Sequence, residues 1–130
     1  MDSFLSLIKA KRFDEAKLSA DWLKHRDPAL CWACADGDLA TVQWFLSEGA
    51  DPAFGKNAPL SKACEYGHTS VVKLLLGYSA VVAGAHEHKN RCLFAAQRDS
   101  YDDIEALLLA IPAVAAGPSM RKWGYGLLDD

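Results

Sequence analysis

The sequence predicts an all-α fold, a solenoid of stacked antiparallel helix pairs joined by short β-hairpin-like fingers. A segment that begins near residue 29 recurs about 30 residues later and then once more. Within each copy the apolar residues are spaced i, i+3, i+4, i+7, which is the spacing of one helix face. Turn-forming residues separate the copies. A unit of this size cannot bury its own apolar faces, so stacking of the copies stabilises the fold.

The copies are visible by direct alignment. "ALCWACADGDLATVQWFLSEGADP" from Ala29 matches "PLSKACEYGHTSVVKLLLGYSAVV" from Pro59 with a shift of 30 residues. The third copy, "RCLFAAQRDSYDDIEALLLAIPA", fits with a further shift of 32, although Leu93 competes for the place of Leu60. A weaker copy, "FLSLIKAKRFDEAKLSA", lies at the N-terminus. We therefore expect a repeat domain over residues 1–115, with a capping unit at 2–25 and repeats at about 26–57, 58–90 and 91–115.

Each copy is predicted to contain two helices and a finger. In the second copy, Leu60, Ala63 and Cys64 form the apolar stripe of a short first helix, which Gly67 ends because glycine tolerates positive φ. The second helix is richer in Val and Leu, in the segment "SVVKLLL". Small residues on the first helix allow close approach of the neighbouring repeat. The stretches "GADPAFGKNAP" and "YSAVVAGAHEHKN" supply the fingers.

This pattern resembles the ankyrin repeat. The second copy, "APLSKACEYGHTSVVKLLLGYSA", follows the family's T-P-L-H-x-A-A-x-x-G-H-x-x-V-V-x-L-L-L-x-x-G-A, and "GADP" in the first copy matches the family's G-A-D-V. The resemblance covers about residues 2–112. Ser61 and Cys31 stand at the family's His place, and Ala58 and Pro28 at its Thr place, so the usual His–Thr bracing is absent. The chain is similar to small, myotrophin-like ankyrin-repeat proteins, which implies a non-enzymatic scaffold, adaptor or inhibitor that binds a protein partner.

Composition narrows the range of partners. The net charge of −3 is mild and acidic, whereas a nucleic-acid binder needs a basic surface. The longest apolar run contains a proline and is too short to cross a bilayer, and the N-terminus lacks the apolar region of a signal peptide. We expect an intracellular protein, cytoplasmic with the nucleus as a second location, without membrane or cofactor. It should be monomeric alone or part of a hetero-complex.

Two of the four cysteines form a C-x-x-C, Cys31 to Cys34. The competing function is therefore a thiol-redox or zinc-binding protein that uses this pair. In a redox C-x-x-C, a helix N-terminus lowers the pKa of the thiol. Cys31 is predicted to lie early in the first helix of its repeat, so this hypothesis stays open. Cys34 and Cys64, in contrast, occupy the second place of the family's A-A pair, where a small side chain packs well. We favour packing over chemistry for these cysteines.

The resemblance implies a partner-binding groove formed by the exposed face of the first helices and by the finger tips. Periodicity places two rows of side chains opposite the small-residue stripe, and both rows contain aromatic residues or Arg, which dominate binding hot spots. The alternative for the aromatic members is packing against the N-terminal helices or the tail. The predicted partner-binding residues are Trp32, Asp36, Lys62, Tyr66, Phe94 and Arg98 of the first helices, with His86 and His88 at a finger tip.

The segment 116–130, "AGPSMRKWGYGLLDD", falls outside the repeats. Its Trp, Tyr and Leu residues make it too apolar to be simply disordered. It either folds back as a cap over the last repeat or is docked by another molecule.

Overall fold

The computed structural model describes residues 2–18 and 22–117, without the side chains of residues 2–4, 23 and 87–89. Within this part of the chain there are ten helices and no strand. Their bounds are α1 Asp2–Lys9, α2 Phe13–Leu18, α3 Trp22–Asp36, α4 Leu39–Ser47, α5 Phe54–Glu65, α6 Thr69–Leu75, α7 Ser79–Ala83, α8 Glu87–Arg98, α9 Asp102–Leu109 and α10 Pro112–Ala116.

The helices form two rows. The first-helix row consists of α3, α5 and α8, which pack side by side in that order. The second-helix row consists of α4, α6 and α9, each packed on the first helix that precedes it. Helices α1 and α2 pack together and against α3 at the N-terminal end of the stack. This arrangement confirms the predicted all-α repeat solenoid.

The core lies between the two rows and between neighbouring repeats. The small-residue stripe of the first helices is fully buried at Ala33, Cys34, Ala63 and Cys64. The second helices contribute larger side chains, and these are also buried: Val42, Phe45, Val72, Leu75, Ile104 and Leu108. Burying one such side chain stabilises the folded state by about 1.5 to 3 kcal/mol relative to leaving it in water. Small residues on one row and large residues on the other let the helices approach closely.

Glycines at the ends of the first helices fix the spacing of the repeats. Gly37 and Gly67 have φ angles of 79° and 75°. A Cβ at Gly37 would lie 2.5 Å from the His68 ring, and a Cβ at Gly67 would lie 2.7 Å from the Tyr101 ring. The next repeat therefore places a ring directly over each glycine. The His68 Nε2 also hydrogen bonds with the Ala35 carbonyl oxygen at 2.9 Å, across a separation of 33 residues.

The third repeat follows the second with a shift of 33 residues, not 32. Leu93 is 1% exposed and takes the buried place of Leu60, which is 0% exposed. The alignment at 32 was wrong because "AAQ" offers an Ala-Ala pair one residue before the place of Ala63 and Cys64.

The fingers differ from the prediction, because the segments expected as hairpin-like are helical or left-handed. Residues Gly55, Lys56 and Asn57 have φ angles of 60°, 57° and 67° and form a kink at the start of α5, and Asn90 has a φ of 62°. The Asn57 Nδ2 donates to the Val81 carbonyl oxygen and the Asn90 Nδ2 donates to the Val114 carbonyl oxygen, each at 2.8 Å. A buried side-chain amide thus supplies the bond that a neighbouring strand would provide in a hairpin.

The same contact is present in a modified form in the first repeat. The Asp27 Oδ1 accepts a hydrogen bond from the Asp51 backbone N–H at 2.9 Å. In all three repeats the two hydrogen-bonded residues are 24 positions apart. One polar side chain of each first helix therefore binds the backbone of the segment that follows the second helix of the same repeat.

Helices α1 and α2 are tied to the first repeat by charge and by aromatic packing. The Lys11 ammonium pairs with Asp38 and donates to the Thr41 Oγ1 at 2.7 Å, and Asp38 caps α4 by accepting from the Thr41 backbone N–H. Phe13 stacks on Trp44 with ring centroids 4.4 Å apart. Sequence reasoning missed this aromatic contact. Its signal in the sequence was a large aromatic residue in the N-terminal unit, Phe13, and another in the first repeat, Trp44.

Candidate protein-binding face

The exposed side of the first-helix row carries several of the predicted partner-binding residues. Tyr66 lies at the C-terminal end of α5 with 55% of its surface exposed. Asp36 and Lys62 are also exposed, on α3 and α5. The Lys62 Nζ lies 3.6 Å from the Glu65 Oε1, an exposed pair that leaves both charges accessible to a partner.

Trp32 is half-buried and packs against the core. The Lys9 Nζ of α1 lies 5.3 Å from the centroid of its ring, within the range of a cation–π interaction. Trp32 therefore contacts the N-terminal helices while part of its ring faces outward. These contacts agree with the packing alternative, and a partner contact of Trp32 stays a prediction.

The 33-residue register changes which residues share a row. The predicted rows were Trp32, Lys62 and Phe94 in one and Asp36, Tyr66 and Arg98 in the other. With the shift of 33, Phe94 has the place of Ser61 instead of Lys62, and Arg98 has the place of Glu65 instead of Tyr66. Phe94 is half-buried and Arg98 is exposed, with its Nη2 3.0 Å from the Asp99 Oδ2. A partner contact of either residue stays a prediction.

The finger-tip histidines lie where α7 connects to α8. His86 is exposed at the N-cap of α8. The backbone of His88 belongs to α8, and its side chain lies outside the described residues, as does the predicted tail or cap from residue 118 onward.

A cavity of about 140 Å³ opens between α5 and α8 on this side of the stack. Four polar or charged side chains and two alanines line it. The lining residues are Ala58, Ser61, Lys62, Glu65, Arg91 and Ala95. The Arg91 Nε donates to the Ser61 Oγ at 3.0 Å and so joins the two repeats across the cavity. Sequence reasoning missed Ala95 because the 32-residue register gave the place of Lys62 to Phe94, and it missed Ser61 and Arg91 because neither lies in the predicted rows in either register.

The environment of the C-x-x-C differs from that of a reactive dithiol. Cys31 and Cys34 lie in the last two turns of α3, which begins at Trp22, and not in the first turn of a short helix. Burial raises the pKa of Cys31 to about 11, with Asp27 adding to the shift, and burial raises the pKa of Cys34 to about 12. Both thiols are therefore protonated at neutral pH, and the redox hypothesis for this pair has no support.

Among the described residues no group of three or more His, Cys, Asp or Glu side chains is placed to hold a metal ion. None of the described helices is long and apolar enough to cross a membrane.

These features define a helical repeat protein with a polar, partly aromatic face along its first helices. A family model described as ankyrin repeats (3 copies) matches residues 30–115. The chain belongs to the ankyrin-repeat family. It is also similar to an ankyrin repeat-containing protein of Saccharomyces cerevisiae (strain ATCC 204508 / S288c), with 36% identity over 77 residues. The match covers 57% of this chain and 15% of the yeast protein, so the chain spans only a small part of that relative. No solved structure is significantly similar to the chain.

Proposed function

We propose that this chain is a non-enzymatic protein-binding module, a scaffold, adaptor or inhibitor, whose first-helix row contacts a protein partner. The observation that carries the proposal is the exposure of Tyr66 at the C-terminal end of α5, a helix whose Lys62 and Glu65 line the cavity between α5 and α8. The exposed aromatic side chain offers a partner an apolar surface, and the cavity lined by the same helix offers a place to insert a side chain. Ankyrin repeats are in general a protein-interaction fold, which supports the same conclusion.

The rigidity of the stack supports binding without a conformational change. The first helices are held by buried apolar stripes on one side and by the Gly37–His68 and Gly67–Tyr101 contacts at their ends. A face that is ordered before binding loses little conformational entropy when the partner docks. The charged residues Lys62, Glu65 and Arg91 around the cavity would then contribute orientation and association rate more than affinity.

The proposal is tested by site-specific photo-crosslinking. A benzophenone amino acid is placed at Tyr66 in the first-helix row, and at Lys73, an exposed residue of α6 in the second-helix row, as the matched control. We expect a discrete crosslinked product from position 66 and not from position 73. A product of equal yield from position 73 would move the interface to the second-helix row, and crosslinking from neither position would contradict the proposal.

The same proposal includes an intracellular location, in the cytoplasm or the nucleus. All four cysteines are free thiols. Free thiols of this number are typical of a reducing compartment, where disulfides are rare. We propose that the chain is monomeric in isolation or part of a hetero-complex, with a protein and neither nucleic acid nor membrane as its partner.

A further inference from the structure

Arg91 differs from the other arginines whose side chains the structure describes. Each of those forms an ion pair with a carboxylate: Arg12 with Glu15, Arg26 with Asp27 and Arg98 with Asp99. Arg91 is exposed on α8, and no ion pair joins it to a carboxylate in the described part of the chain. Its positive charge is therefore left for a group outside that part of the chain.

The guanidinium of Arg91 is oriented by the neighbouring repeat. Its Nε donates a hydrogen bond to the Ser61 Oγ of α5 at 3.0 Å. Arginine has several N–H donors arranged in a planar fork, and this bond uses only the one on Nε. The planar fork matches the two oxygens of a carboxylate, which it binds through two parallel hydrogen bonds. Because Ser61 holds one edge of the guanidinium, less side-chain freedom is lost when a carboxylate binds to it.

The charges around the cavity between α5 and α8 favour a single negative group. Lys62 and Arg91 line it with positive charge and Glu65 with negative charge, which leaves a net charge of +1. The whole chain, in contrast, has a net charge of −3. The Lys62 Nζ lies 3.6 Å from the Glu65 Oε1, which is longer than a hydrogen bond, and both side chains are exposed. An exposed pair of this kind is weak, so Lys62 can turn toward a second carboxylate at little cost.

The cavity also has room for a side chain. Its volume is about 140 Å³, and Ala58 and Ala95 contribute only methyl groups to its lining. A cavity of about 150 Å³ is large enough to admit benzene. A carboxylate and its methylene stem are smaller than benzene or of similar size, and the two methyl groups offer the stem an apolar surface.

We propose that this cavity binds the carboxylate side chain of an aspartate or glutamate of the partner, with hydrogen bonds from Arg91 and Lys62. This inference rests on the proposed function, since it names the chemistry of the partner at the first-helix row. Charge complementarity favours one carboxylate over a phosphorylated residue. A phosphate group has about two negative charges. The single net positive charge of the cavity would not balance it, and Glu65 would repel it.

The test titrates the full chain, labelled with nitrogen-15, with N-acetylglutamate N-methylamide and follows its NMR spectrum. The matching glutamine compound is the uncharged control. We expect the glutamate compound to bind with a millimolar dissociation constant and to shift the signals of the Arg91 Nε–H and of the Ser61 and Ala95 backbone amides. The glutamine compound should leave these signals in place. Equal shifts with both compounds, or shifts confined to other parts of the chain, would overturn the proposal.

Three variants test the role of each charge, after equal melting temperatures have shown that they are folded. Arg91→Gln should weaken binding of the glutamate compound by about fivefold. The matched control is Arg98→Gln on the same helix, whose charge is already paired with Asp99, and it should leave binding unchanged. Glu65→Gln should tighten binding by about twofold or more, because it removes the repelling charge and the partner of Lys62. An equal loss in Arg91→Gln and Arg98→Gln would mean that the general field attracts the compound, and the proposed site would fail.

The crosslinking experiment at position 66 tests the proposed function separately. A discrete crosslinked product together with no response to the glutamate compound would overturn the carboxylate site and leave the proposed function in place. A response to the glutamate compound without any crosslinked product would support the carboxylate site and contradict the proposed function.

Discussion

Asn57 offers the clearest test of how the fingers are held. Its side chain is 2% exposed, its φ of 67° lies in the left-handed region, and its Nδ2 donates to the Val81 carbonyl oxygen at 2.8 Å. Asn57→Ala removes a buried hydrogen bond, which costs about 1 to 3 kcal/mol. It also places Ala in the left-handed region, which Ala tolerates less well than Asn because it lacks a short polar side chain that can hydrogen bond locally; this costs about 1 kcal/mol. We expect the free energy of unfolding to fall by about 2 to 4 kcal/mol in total.

Two further variants separate these contributions. Asn57→Gly relieves the backbone but still removes the hydrogen bond, so the loss should be smaller, about 1 to 3 kcal/mol. Lys56→Gly is the matched control, because Lys56 is exposed and also has a left-handed backbone, with a φ of 57°. The free energy of unfolding of this variant should be unchanged or slightly higher. The assay is urea unfolding followed by circular dichroism, compared at constant slope against denaturant. If Asn57→Gly is as stable as the natural chain, the hydrogen bond to Val81 does not hold the finger and the reasoning fails.

Three other changes test separate parts of the fold. Leu75→Ala should lower the free energy of unfolding by about 2 to 5 kcal/mol, because Leu75 is fully buried in α6; a loss below that range in urea unfolding would show that the site collapses around the cavity. Ser100→Gly should stabilise by about 0.5 to 1 kcal/mol, because Ser100 has a φ of 59° at the place held by Gly67 in the preceding repeat; an unchanged melting temperature would contradict this. The pKa of Asp38 is lowered by its hydrogen bond from Lys11, so its stabilisation is present above about pH 4 and is lost as the pH falls through its folded-state pKa. Asp38→Asn should therefore be less stable than the natural chain at pH 7, with the difference shrinking toward pH 3 in parallel urea titrations; a constant difference would mean that the charge is not involved.

The stripe of small residues could be predicted because its cause is local. Leu60, Ala63 and Cys64 recur at helical spacing, and close packing of neighbouring repeats requires small side chains there. The fingers could not be predicted, since turn-forming residues indicate a break in the helix without indicating what replaces it. The Asn57 side-chain amide donates a hydrogen bond to Val81, 24 residues further along the chain. No local sequence pattern contains both partners, so neither this hydrogen bond nor the left-handed backbone of Asn57 could be predicted.

The face of the candidate site was predicted in part. Lys62 and Tyr66 followed from the second copy, where the match to the family is strongest, and both are exposed. The third repeat was misaligned by one residue, and this put Phe94 instead of Ala95 in the place of Lys62. The location of Cys31 was misjudged because α3 begins at Trp22 and continues through Pro28, so the C-x-x-C lies near its C-terminal end.

Affinity for the partner recovered by crosslinking tests the central claim, that the first-helix row binds a protein. Purified Tyr66→Ala and Lys73→Ala are each titrated with that partner, after equal melting temperatures have shown that both variants are folded. The account predicts that Tyr66→Ala weakens binding by about 1 to 3 kcal/mol and that Lys73→Ala leaves it unchanged. Unchanged affinity for Tyr66→Ala together with a loss for Lys73→Ala would place the interface on the second-helix row and contradict the account.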